Sequence, residues 1–250
     1  IDSVPDLNRI HFMGGEPLLN KRFPKLLDHL IAVGRTDISI SFVTNGTILN
    51  PELINQLLQF KTCNIEVSIE SIGLNNHYIR QGADTEQVLK NIDWLLSKQT
   101  DKFFVVLRTV PQLFNVNNYD QLIRFAYNNR VAIQSIPLVN PAYMAIAVLP
   151  MEIRQRLLPQ YRELHNYLQA RASDIVTIAT GRNVSNIESM LSRETATIIS
   201  MLEAPEQNNV EQLRTELVHW MIRWDQEFKL NAVDVYPEFA DFFREYGYKI

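Results

Sequence analysis

The residues with the clearest chemical potential stand at the ends of short apolar runs. Met13-Gly14-Gly15-Glu16-Pro17-Leu18-Leu19 closes the first run. Paired glycines let a backbone turn sharply and approach a ligand closely, because no side chain intervenes. A carboxylate just after them can accept hydrogen bonds from an ammonium group, and Pro17 stiffens the departing chain. The second run ends in Thr44-Asn45-Gly46-Thr47, the third in Ser68-Ile69-Glu70-Ser71, and the fourth carries Arg108-Thr109-Val110. Each group also has a plain structural reading. Gly-Gly-Glu-Pro can be an ordinary strand-to-helix turn, and Thr-Asn-Gly is a good turn on general grounds. Ser68 can fill a barrel rim, and Arg108 can pair with a structural carboxylate. Taken jointly, polar groups gathered where successive strands finish predict one site on one face.

Other reactive side chains offer less. His11, His29, His77, His165 and His219 show no metal-ligand spacing, although His11 lies close to the predicted site. Glu238 and Asp241 read as a solvated helix face, and Arg80 either binds an anion or caps a loop. Trp220 and Trp224, four apart on a helical pattern, read as core packing. No serine–histidine–acid triad can be assembled. The single cysteine, Cys63, falls at the start of a strand pattern, away from the predicted site. It reads as a buried free thiol, and one cysteine excludes an internal disulfide framework or a cysteine-only metal site.

The elements that must position these groups alternate. Strand patterns cover Arg9–Met13, Ile38–Val43, Asn64–Ile69, Phe103–Val110 and Val131–Ile136, each rich in β-branched or aromatic residues and bounded by turn formers. Helical patterns cover Phe23–Val33, Pro51–Phe60, Thr85–Lys98 and Asn118–Asn128, with apolar residues at three- and four-residue spacing. Asn50 before Pro51 marks a capped helix start. Strand–helix repetition implies parallel strands joined by right-handed crossovers. The predicted class is α/β: a partial (β/α) TIM-like barrel over residues 1–150, its working loops at the strand C-terminal ends. An open doubly wound sheet is the runner-up. Residues 151–250 read as a mainly helical C-terminal extension, with helices over Met151–Ala172, Ser185–Leu202 and Val210–Lys229 and a further amphipathic helix over Val233–Tyr248.

Composition sets outer bounds. A 250-residue chain can bury a substantial core. Its 46% hydrophobic and 21% charged content is ordinary for a globular protein. A net charge of −4 argues against a general nucleic-acid binder. No apolar run approaches the roughly 20 residues of a membrane span, and no signal peptide is visible, so a cytoplasmic location is expected. The chain opens at Ile1, just ahead of its first strand pattern, and reads there as a cut edge.

The ordered set Gly-Gly-Glu-Pro-Leu-Leu, Thr-Asn-Gly-Thr, Val-Ser-Ile-Glu and Tyr78-Ile79-Arg80-Gln81-Gly82 resembles the radical S-adenosylmethionine superfamily, in particular the branch that modifies peptides or assembles cofactors. Arg108-Thr109-Val110-Pro111 through Asn115 to Asn118 is similar to that branch's fifth-strand region. Asp234-Val235-Tyr236-Pro237-Glu238 more weakly resembles the ends of chains with a "twitch" segment. The resemblance implies that Gly14, Gly15, Glu16 and Pro17 receive the methionine amino group of S-adenosylmethionine. It implies that Ser68 and Glu70 meet the ribose or carboxylate, that Arg108 pairs with the carboxylate, and that Thr44 and Asn45 line the floor. Ile136–Val139 would lie near the adenine.

The family's Cys-x3-Cys-x2-Cys loop, which holds a [4Fe–4S] cluster, has no counterpart in this sequence. Thiolates are the ligands such clusters require. The parent is therefore expected to use S-adenosylmethionine and a [4Fe–4S] cluster to make a 5′-deoxyadenosyl radical, acting on a peptide or a small molecule. This chain alone is expected to be inactive, with no cluster bound and no catalytic or metal-ligating residue of its own. The helical tail is expected to cover the barrel mouth, and an open barrel edge to favour a homodimer. Two rivals stand beside this reading: a non-catalytic binding or scaffold module on the same fold, and an unrelated TIM-barrel aldolase or isomerase using Glu16, Glu70 and Arg108.

Overall fold

A computed structural model describes residues 6–136, 138, 140–172, 176–177, 183–184 and 186–249. Ile1, Ser185, and Pro137 and Val139 of the segment expected near adenine lie outside the described residues. The chain forms two compact units, residues 1–69 with 86–108 and residues 70–85 with 109–250. The main sheet has the strand order β1-β2-β3-β4-β5, an α/β arrangement with parallel pairing along it.

The first unit holds β1 (Arg9–Phe12), α1 (Arg22–Ala32), β2 (Ser39–Thr44), α2 (Pro51–Leu57) and β3 (Thr62–Ser68). Of the later elements, α3 (Leu74–Ile79) belongs to the second unit, whereas nearly all of α4 (Thr85–Leu96) and β4 (Phe103–Thr109) belongs to the first. Registers Ile40↔Cys63↔Phe103 and Phe42↔Ile65↔Val105 align apolar residues across the strands, all at most 3% exposed. Helical residues Leu27, Leu30, Ile54, Leu57 and Ile92 are equally buried, at most 1% exposed. Burying such side chains is worth about 1.5–3 kcal/mol each. Phe23 of α1 meets Phe12 and Phe42 edge-on at 4.7 and 5.5 Å. As expected, Asn50 caps α2, its Oδ1 accepting from Leu53 N–H at 3.1 Å with Pro51 at the first helical position.

Alternate residues of the same strands are polar. Arg9 and His11 of β1, Ser39 and Ser41 of β2, and Asn64, Glu66 and Ser68 of β3 share the opposite parity. A strand's side chains alternate between faces, so β1–β3 present one apolar face and one largely polar face, the latter interrupted by Val43.

The second unit contains α5 (Tyr119–Asn128), β5 (Ala132–Ser135), α6 (Met151–Gln169), a short antiparallel ribbon β6 (Val176–Thr177) and β7 (Asn183–Val184), α7 (Ile187–Glu203) and α8 (Val210–Phe228). It ends in α9 (Ala232–Val235) and α10 (Ala240–Glu245). Ile136 N–H donates to the carbonyl of Thr109, the last residue of β4, at 2.9 Å. Glu194 of α7 accepts from Tyr119 and Ser135, each at 2.7 Å. Arg154 of α6, fully buried, donates to the carbonyls of Leu149 and Leu202 at 2.9 and 3.0 Å.

Two local expectations are corrected. Helix α3 forms over Leu74–Ile79, where the sequence shows no helical pattern. The single helix expected over Val233–Tyr248 is broken at Tyr236-Pro237, because proline lacks the N–H that would continue the ladder. Tyr236, Phe239 and Phe243 still pack inward, at most 1% exposed. No helix among the described residues is long and apolar enough to cross a membrane.

Candidate functional site

In the first unit Gly14, Gly15, Pro17, Thr44 and Asn45 of the predicted set gather around the Glu16 carboxylate, whereas Ser68, Glu70 and Arg108 do not. Gly14 and Gly15 adopt φ of +84° and +60° after β1, a left-handed conformation that other residues reach only with strain. The double turn delivers Glu16 to the start of a 3-10 turn, Pro17–Leu19, with proline at its first position. Glu16 Oε1 accepts from Leu18 N–H at 3.1 Å and from the Thr44 hydroxyl at 2.7 Å, and Oε2 accepts from Asn45 N–H at 2.7 Å. The carboxylate thus ties the end of β1 to the end of β2. Thr44 in turn accepts from Gly46 N–H at 3.2 Å, and Asn45 Oδ1 accepts from the Thr47 amide and hydroxyl at 2.9 and 2.7 Å.

A carboxylate offers about four lone-pair sites. Glu16 spends one on each of these three donors, which leaves Oε2 able to accept one more. Half-buried and held from three sides, it is a preorganised acceptor for a cation. A hollow of about 300 Å³ borders Gly14, Gly15, Glu16 and Pro17, with Asn20, Arg22 and Phe23 of the following turn and helix. A Cβ built at Gly14 or Gly15 would meet nothing within 4 Å, so that space is open above the backbone.

Ser68 and Arg108 stand opposite each other across the β3–β4 pair. Neither lines that hollow. Arg108 instead forms an ion pair with Glu66, which is 5% exposed. The Ser68 hydroxyl has no protein partner among the described residues. Asn64 donates weakly to Glu66 at 3.4 Å, and its own Oδ1 is buried without a partner among the described residues. His11 Nδ1 lies 2.7 Å from the Ser41 hydroxyl.

Glu70 belongs to the second unit. Its carboxylate accepts from Arg80 at 2.6 Å, from the Thr109 hydroxyl at 3.0 Å and from Val110 N–H at 2.7 Å. Its N–H donates to Asn76 and its carbonyl accepts from Asn115, at 2.9 and 3.0 Å. Arg80 therefore holds a structural carboxylate, and Glu70 acts as a fastener within its unit.

Sequence reasoning missed Glu66, Asn64 and Ser41. The signal was present as a period-two polar pattern, Thr62, Asn64, Glu66 and Ser68, within an otherwise apolar strand. It also treated the two tryptophans as core; both are half-buried and line a cavity.

The donors for an iron–sulfur cluster do not fit this chain. Cys63 is buried among the apolar residues of β3, and burial pushes its thiol up to about 12. No group of three histidine, cysteine or acidic side chains suited to a metal occurs among the described residues.

A parallel sheet whose first strand ends in this carboxylate-centred turn accords with a family match. Residues 2–126, half of the chain, match the Radical SAM superfamily, and the chain belongs to it. It is 30% identical over 139 residues to the radical SAM cyclopropyl synthase TigE of Paramaledivibacter caminithermalis, an alignment covering 54% of this chain and 28% of that protein. The chain thus spans little more than a quarter of this relative. Among solved structures it is similar to Streptococcus suis SuiB bound to precursor peptide SuiA, with 13% identity, TM-score 0.47, and coverage of 65% and 36% of the two chains. It is also similar to anSMEcpe with bound AdoMet, with 15% identity, TM-score 0.49, and coverage of 99% and 81%.

Proposed function

We propose that the chain supplies, within a radical S-adenosylmethionine protein, the wall that grips the methionine end of the cofactor. One observation carries this reading: Glu16 is fixed by three donors of its own unit and retains one acceptor site. Its residual lone pair takes an N–H of the cofactor's ammonium group, while the Gly14-Gly15 backbone allows close approach. Thr44 and Asn45 act by holding Glu16. Arg108 has further guanidinium donors beyond the one given to Glu66 and is assigned the methionine carboxylate. Ser68 is assigned the ribose. Glu70 is assigned a supporting role, anchoring the turn at Val110.

In this superfamily S-adenosylmethionine, when bound, is the source of a 5′-deoxyadenosyl radical. The thiolates for a [4Fe–4S] cluster are not among these 250 residues, so we assign the cluster to cysteines outside them and expect the chain alone to be inactive. We further propose a peptide as substrate, since the motif set resembles the branch that modifies peptides or assembles cofactors. Residues 151–250 then serve as a twitch-like extension that contributes to substrate choice. A cytoplasmic location, no nucleic-acid partner, and a homodimer formed along the β1 edge complete the reading.

Saturation-transfer NMR with S-adenosylmethionine tests it. Transfer to the methionine protons is expected with the unmodified chain, weakened about tenfold or more in Glu16→Gln, because a charge-assisted hydrogen bond is lost. Equal transfer in both proteins would sink the assignment.

A further inference from the structure

The second unit contains a hollow of about 220 Å³ bordered by Tyr78, Gln112, Phe114, Met144, Trp220 and Trp224. Trp220 and Trp224 of α8 stack with centroids 4.9 Å apart, and Phe114 leans on Trp220 at 5.6 Å. The Trp224 indole N–H is committed to the Tyr78 carbonyl at 3.1 Å, so what this residue offers the hollow is ring surface. Glu70, the one charged residue on the border, is satisfied by Arg80, Thr109 and Val110. The hollow therefore suits a neutral occupant.

Gln112 gives it a polar contact. The residue is 7% exposed. Its N–H donates to Asn115 Oδ1 at 2.8 Å, and its carbonyl accepts from the amides of Asn115 and Val116, both at 3.1 Å. Its side-chain carboxamide has no protein partner among the described residues. A carboxamide carries both donors and an acceptor, the complement of one peptide group. The volume falls below the roughly 300–1,000 Å³ of sites that enclose a whole ligand. It has room for one ring.

We infer that this hollow is a substrate subsite that takes an aromatic side chain of a peptide, with Gln112 bonded to the adjoining peptide group. The inference rests on the peptide-substrate reading above and names the kind of residue that substrate presents. Aromatic rings favour offset or edge contacts with one another, and the stacked tryptophans with Phe114 provide such walls.

The test follows the indole N–H resonances of Trp220 and Trp224 in the 250-residue chain during titration with N-acetyl-phenylalanine amide, N-acetyl-glycine amide and adenosine. A saturable shift with the phenylalanine amide alone is expected, weakened about tenfold in Gln112→Leu. No saturable shift, an equal response to the glycine amide, or a stronger response to adenosine would each overturn the subsite. The ligand comparison uses the unmodified chain, so it stands even if Gln112→Leu does not fold. S-adenosylmethionine transfer and its dependence on Glu16 are read in a separate sample. Loss of the indole shifts with that transfer intact removes only the subsite, and the reverse result removes only the cofactor assignment.

Discussion

The Thr44 hydroxyl donates to Glu16 Oε1 at 2.7 Å across a separation of 28 residues, so the glycine turn after one strand is fixed by the last residue of the next. Thr44 is 1% exposed and also accepts from Gly46 N–H. Replacing it with the isosteric valine leaves the packing intact but strips both contacts. Thr44→Val is expected to destabilise the chain by about 1–3 kcal/mol, measured by urea unfolding, and to weaken S-adenosylmethionine binding together with stability. Unchanged stability would mean that this bond does not hold the turn.

Gly15 and Gly46 both have positive φ but differ in surroundings. At Gly15 an added Cβ meets open space; at Gly46 it would sit 2.7 Å from Val67 Cγ1 and 3.2 Å from Val88 Cγ1. Gly15→Ala is expected to cost about 1–2 kcal/mol from backbone strain alone. Gly46→Ala should cost about 1–3 kcal/mol more, since the side chains must also shift. The ranking is checked by comparing urea midpoints, and a reversed order would contradict the packing described here.

Arg108 and Glu66 pair on the polar face with side chains 22% and 7% exposed. Arg108→Met leaves a nearly buried carboxylate without its cation and is expected to cost about 3 kcal/mol. Adding Glu66→Leu should restore much of that loss, because the stranded charge is removed. A double variant no more stable than Arg108→Met would show that the carboxylate is not the source of the cost.

Burial raises the Cys63 thiol to about 12, well above the ordinary value of about 8.5. The folded chain keeps this proton through a range in which the unfolded chain releases it. Its contribution to stability is therefore intact below about pH 8.5 and falls by about 1.4 kcal/mol per pH unit from there towards pH 12. Cys63→Ala should remove that part of the slope. Labelling with a thiol reagent at pH 8 should be slow in the folded chain and complete in urea; rapid labelling without denaturant would show that the thiol is not enclosed.

Much of the first unit was legible because strand and helix periods differ. The strand cores around Ile40, Ile65 and Val105 were found, with ends displaced by one or two residues where turn and strand chemistry overlap. Asn50-Pro51 located its helix because capping is local. The Glu16 turn was legible because its glycines and carboxylate are contiguous; its bond to Thr44 was not, because that partner lies 28 residues away. Glu66 escaped notice because a carboxylate inside a strand reads as one polar position, and its partner lies 42 residues away. Helix α3 was missed because Leu74-Asn75-Asn76-His77 has weak helical preference. Its stability comes from buried contacts: Asn75 donates to the Phe114 carbonyl at 3.0 Å, and Tyr78 is 0% exposed. Trp220 and Trp224 showed a correct spacing, but spacing alone does not distinguish a filled core from the wall of a hollow.

Glu70 lies two residues beyond the end of the third strand of the sheet, yet its amide, carbonyl and carboxylate are all bonded to Asn76, Arg80, Thr109, Val110 and Asn115 of the second unit. Chain neighbourhood and cooperative allegiance therefore part at the bond between Ile69 and Glu70. Residues 70–85 should lose amide-exchange protection in step with the distant stretch from 109 onward rather than with the strand they continue. A chimera that exchanges this loop between relatives would have to carry Asn76, Arg80, Thr109 and Asn115 as one inherited block.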